Sequence, residues 1–193
     1  MGYPTAAYDL LPLYNLAKQG RIFSGNIAAA GVVLPIYSNT TQQVGLWNPA
    51  GSSIDVILLR LALTYVSGTG AAGGYVLGYL PNAPASVATG ASIAAFTETA
   101  AISHYVGTGL ASAAKFGQGA TITVTAPSVL LSLGLNQTVL TAATTSSPQW
   151  SSVFDFTGQI VLTPGTAIFV CGNIATLSTW SGSLTWAEVS RVA

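Results

Sequence analysis

Apolar and polar residues alternate most regularly over residues 153–162, where Phe154, Phe156, Ile160 and Leu162 share one side and Asp155, Thr157 and Gln159 the other. A period of two marks a strand with one buried face. Thr163-Pro-Gly-Thr166 supplies a turn, and residues 167–171 form the next strand. Upstream, residues 121–125 alternate Thr with Ile122 and Val124. Beyond Pro127, Val129, Leu131, Leu133 and Leu135 share a face. Residues 176–180 and 184–189 flank Ser181-Gly-Ser183, which predicts a closing hairpin carrying Trp180 and Trp186.

The first half is less regular. Residues 21–29 and 32–37, divided by Gly31, predict a strand pair, and residues 44–47 lead into a turn at Asn48-Pro-Ala-Gly-Ser52. A long strand spans residues 54–66. Its odd positions hold Asp55, Ile57, Leu59, Leu61, Leu63 and Tyr65, and its even positions Ile54, Val56, Leu58, Arg60, Ala62, Thr64 and Val66. Both faces are largely apolar, so the strand is expected to be covered twice, by the partner sheet and by a neighbouring subunit or crossing loops. Residues 67–74 form a flexible turn and residues 75–80 a returning strand. Residues 81–92 are expected to be a surface excursion and 141–149 a polar loop. In residues 93–116, the spacing of Ile93, Phe96, Ala100 and His104 predicts one short helix within a long loop.

Residues 1–20 form an N-terminal arm. Pro4 and Pro12 oppose a long helix, and Tyr8, Leu11 and Tyr14 are among the residues that make the arm adhesive toward another chain. Residues 21–193 make a single domain of eight to ten strands with no internal repeat. An all-β chain of this size must close its edges. Long connections, tight turns and one long central strand favour a jelly-roll-like antiparallel β-sandwich with an extended N-terminal arm. The Cys-Trp-Cys spacing of immunoglobulin sandwiches is absent.

Composition changes the picture from fold to association. Of 193 residues, 5% are charged, whereas a typical soluble domain carries about 25%. Net charge is zero, which argues against nucleic acid as a partner. The hydrophobic fraction is 50%, and so little charge favours self-association. Residues 56–66, the most apolar run, contain Arg60 and reach about half the length of a membrane-crossing helix, so no membrane partner is expected. No secretory signal is read at the N-terminus. Cys171, the sole cysteine, is expected to be a buried thiol.

Candidate chemistry is sparse. The carboxylates Asp9, Asp55, Glu98, Asp155 and Glu188 show no spacing suited to a catalytic pair, and His104 is the single imidazole. Glu98, six residues upstream of His104, does not stack on it along a helix. One His and one Cys cannot make a structural zinc site, and the glycine-rich stretches lack the lysine–hydroxyl register of a phosphate loop. The expectation is a non-enzyme without catalytic residues, metal or cofactor. Arg60 is the most informative charge. Among leucines it either emerges at a wet interface or pairs with Asp55 or Asp155. Trp47, Trp150, Trp180 and Trp186 suit core and subunit contacts, with Trp186 assigned to the core; a sugar platform is the other use of such rings.

Three segments carry a resemblance: Gly158-Gln-Ile-Val-Leu-Thr-Pro-Gly-Thr-Ala-Ile-Phe-Val170, Ser183-Leu-Thr-Trp-Ala-Glu-Val189, and Leu46-Trp-Asn-Pro-Ala-Gly51 with the strand that follows. Together they resemble small jelly-roll structural proteins of tailed-phage virions, of the capsid-decoration or head-fibre type. That resemblance implies a homotrimer, a virion location, and a major capsid protein or shell lattice as partner. It brings no catalytic or ligand residues. A self-assembling cell-surface or filament subunit and a lectin-like module are the alternatives.

Overall fold

The computed structural model describes residues 6–69, 73–80, 93–94, 96–122, 127–136, 151–175 and 177–191. The described strands form three sheets. The first has the order β13 (Ser151–Leu162), β5 (Ile54–Ser67), β15 (Thr179–Ser190), β1 (Ile22–Asn26), β9 (Ile102–Ser103), with β2 (Val32–Val33) also on β15. The second runs β12 (Ser128–Asn136), β6 (Gly73–Leu80), β14 (Thr166–Gly172), β4 (Gly45–Asn48), β10 (Lys115–Gln118), β8 (Thr97–Glu98). A small third sheet joins β3 (Thr41–Gln42), β11 (Ala120–Ile122) and β7 (Ile93–Ala94).

The main strands pair in nested order. β1 lies against β15, β4 against β14, β5 against β13 and β6 against β12, all antiparallel. The first and second sheets sandwich the main core, in which Phe23, Leu58, Leu61, Trp180 and Trp186 meet Leu46, Tyr75, Leu77, Phe116 and Val170. Aromatic rings join the layers: Trp186 stacks with Phe23 and Phe116 at centroid distances of 6.3 and 6.1 Å, and Trp180 makes T-shaped contacts with Tyr65 and Tyr75 at 5.6 and 4.9 Å. A second cluster covers the other side of the second sheet, where Trp47, Val76, Phe169 and Cys171 pack with Ala120 and Ile122 of the third sheet. The described protein is therefore an all-β, multi-sheet, sandwich-like arrangement of antiparallel strands.

Several sequence expectations change. The apolar residues of β5 are sorted by a β-bulge: Trp186 pairs with Leu58 and Thr185 with Arg60, which leaves Leu59 unmatched. Val56 and Leu58 point inward before the bulge, and Leu61 and Leu63 after it. Two apolar faces in a strict alternation are one apolar face interrupted by an extra residue, and the other face carries the exposed Arg60 and Thr64. The predicted terminal hairpin is instead the single strand β15. Gly182 sits within it at φ +152°, and a Cβ there would collide with the Ala62 carbonyl oxygen. Its lack of a side chain serves close strand approach rather than a turn.

Residues 21–37 likewise form no pair of their own, since β1 and β2 both bind β15. No helix occurs among the described residues of 93–116. That stretch makes short edge strands, because Thr and Gly weaken the helical spacing. The arm is not extended over its described part: α1 spans Ala6–Lys18 and includes Pro12. Gly20, at φ +68°, follows it. The 81–92 excursion and the 141–149 loop lie outside the described residues.

Candidate functional site

Among the described residues, the carboxylates Glu188, Glu98 and Asp155 are engaged by different partners. Glu188 is buried on β15 and holds the loop before β10, accepting from Ser112 Oγ at 2.5 Å, from the backbone N–H groups of Ala113 and Ala114 at 3.1 Å each, and from Trp186 Nε1 at 3.3 Å. A carboxylate so occupied by its own loop is a structural clamp. Glu98 pairs with Lys115 at 3.1 Å across the β8–β10 edge. His104 is engaged elsewhere: a 2.6 Å hydrogen bond joins its Nε2 to Ser24 Oγ, and a 2.8 Å bond joins Ser24 Oγ to Thr185 Oγ1. Among the described residues no group of three or more His, Cys, Asp or Glu side chains could hold a metal ion. The side chains of Asp9 and Trp150 lie outside the described residues.

Cys171 is fully buried in the second cluster, and burial pushes its thiol up to about 12. Its Sγ donates to Gln42 Oε1 at 3.1 Å, while Gln42 Nε2 donates to the Asn39 carbonyl at 2.7 Å. Trp47, Trp180 and Trp186 are buried, so none of these three offers a ring face to a sugar. Among the described residues, one shallow cleft of about 200 Å³ lies beside Glu98, Ser112 and Lys115, and a larger one of about 250 Å³ is lined by Tyr79, Leu130, Ile160, Leu162 and Ile168.

What the surface offers instead is uncovered apolar side chains at the β12 and β13 margin. Both are end strands of their sheets. On β12, Val129, Leu130 and Leu131 are all exposed, and Leu130 forms a wall of the larger cleft. Both end strands are irregular: β12 has register shifts between Val129 and Leu131 and between Ser132 and Gly134. On β13 the pairing with β5 jumps between Asp155 and Ile160, around Thr157 at φ +49° and Gly158 at φ +81°. Irregular margins of this kind resist continuous strand-to-strand pairing with another chain.

On the outer face of the first sheet, Ser24, Thr185, Arg60 and Asp155 stand in one cross-strand row. Arg60 Nε donates to Asp155 Oδ1 at 2.6 Å, with the two side chains 57% and 54% exposed. The carboxylate's hydrogen bond and then its charge raise the guanidinium pKa further above its ordinary value. Of the two carboxylates named for Arg60 from the sequence, Asp155 is the partner. Trp186 is wholly buried, and Tyr14 is exposed on α1. The side chains of Tyr8 and Leu11 lie outside the described residues. The Glu188 clamp on the loop before β10 and the Ser24–His104 contact carry no local sequence signal, because they join residues 74 to 80 positions apart.

No family model, curated protein or solved structure matches the chain.

Proposed function

We propose that the protein is a non-enzymatic structural subunit that assembles with copies of itself into a closed homotrimer and serves as a virion component, of the capsid-decoration or minor-capsid type. The observation that carries the reading is the uncharged apolar margin at β12, where Val129, Leu130 and Leu131 stand exposed beside an apolar cleft. Three successive exposed apolar side chains on a chain with ten charges suit a subunit contact.

The nested pairing of β1 with β15, β4 with β14, β5 with β13 and β6 with β12 supports a jelly-roll wiring. Jelly rolls recur in capsid and lectin domains. Burial of Trp47, Trp180 and Trp186 favours the capsid use over the lectin one, and the bulged end strands favour a closed oligomer over an open filament. In this reading the α1 arm, with Tyr8, Leu11 and Tyr14, seats on the shell lattice or a neighbouring subunit.

Light scattering after size exclusion tests the oligomer. The expected molar mass is a multiple of three chains, and Leu130→Lys should divide it by three while circular dichroism keeps its β signal. A monodisperse 19.6 kDa wild-type species overturns the assembly reading. Recovery of the chain in stoichiometric amount from salt-washed particles tests the virion location; its absence from them overturns that part.

A further inference from the structure

We propose that the outer face of the first sheet, at β5 and β13, binds the same face of a second copy of this chain about a twofold axis, so that Arg60 of each copy meets Asp155 of the other. This contact rests on the assembly reading and adds a second surface to it, separate from the β12 margin.

The basis is self-complementarity. β5 and β13 are antiparallel neighbours, and three of their cross-strand rows are Val153 with Ala62, Asp155 with Arg60, and Val161 with Ile57. A twofold axis running parallel to the two strands, between them and in the plane separating the two faces, returns each row to itself with its members exchanged. Arg60 then faces Asp155, a cation over an anion. Val153 faces Ala62, a large side chain over a small one, and Val161 faces Ile57, apolar over apolar. An isologous contact demands this pattern, in which every group finds its complement on an identical surface.

The exposure of the residues fits. Val153 is 57% and Val161 49% exposed, flanking an ion pair that is itself more than half exposed. A surface ion pair in water is worth little by itself. Covered on both flanks by apolar side chains it becomes part of a dry contact and selects the partner. The third sheet covers the outer side of the second sheet, whereas Arg60, Val153 and Val161 on the first remain open.

Charge reversal tests the contact in the full chain. Wild type should have an even multiple of the chain mass, which with a trimer at the β12 margin is six chains. Arg60→Asp alone places a second carboxylate against Asp155 of the other copy, and Asp155→Arg alone places two guanidinium groups together, so each single variant should halve the mass. Mixing the two variants should restore the wild-type mass, because each then supplies the charge the other needs.

If single variants lose mass and the mixture does not recover it, while the double variant Arg60→Asp/Asp155→Arg does, the pair acts only within one chain and the proposal fails. Unchanged mass in both single variants also overturns it and leaves the trimer reading standing. A monomeric wild type sinks both. Should a reversal variant fail to fold, the neutral double variant Arg60→Gln/Asp155→Asn provides the second measurement. Its mass should fall at dilutions where wild type stays associated, and an identical dilution curve overturns the proposal.

Discussion

Trp186 has no exposed surface and stacks with two phenyl rings, one from each of the two main sheets. Replacing it with Ala removes those contacts and leaves Glu188 without its indole donor. The expected loss is about 3–5 kcal/mol, read by chemical denaturation. Cys171 makes a pH-dependent contribution. Burial raises its folded-state pKa from the ordinary 9.0 to about 12, so the thiol favours folding below pH 9 and that contribution disappears as pH rises toward 12. Wild type should therefore lose stability relative to Cys171→Ala across that window, by at most about 1.4 kcal/mol per pH unit. An equal slope in both proteins would count against the burial. A thiol reagent should meanwhile react with the unfolded chain and not with the folded one.

At the scale of elements, β15 depends on a residue that reads from sequence as a turn. Gly182 lies against the Ala62 carbonyl, and φ +152° is a backbone conformation that side chains disfavour. Gly182→Ala should cost about 1–3 kcal/mol in strain alone, with the collision adding to it, and a thermal melt will read the shift. The sequence was informative where local pattern and tertiary outcome agree. β13 keeps Phe154, Phe156, Ile160 and Leu162 toward the core as its alternation predicts, and the Pro-Gly turn at 164–165 delivers β14. It misleads at Leu59 and Gly182, because a bulge and a close approach are set by the partner strand rather than by neighbours in the chain. The candidate site divides in the same way. Arg60 stands out among leucines, so its need for a carboxylate is legible. The clamp formed by Glu188 and the row from Ser24 to Asp155 are not, since the first is made by a loop that leads into the other sheet and the second by strand register.

For the molecule as a whole, the nested pairing has a kinetic consequence. β15 occupies the middle of the first sheet, between β5 and β1, and joins residues as distant as Ile22 and Ala187. Loop closure over such separations must precede the gain from pairing, which places folding in the slow range of two-state domains, from milliseconds to seconds or beyond. Until β15 docks, β1 and β5 present bare backbone to other molecules in the same condition. Stopped-flow fluorescence of the tryptophans should show this late step as a slow phase. The recovered yield should fall as refolding is carried out at higher protein concentration. A concentration-independent yield with submillisecond kinetics would mean that the central strand is in place early. If the central strand docks last, the chain passes through a time window of vulnerability, and within it the scarcity of charge leaves little repulsion to keep unfinished chains apart.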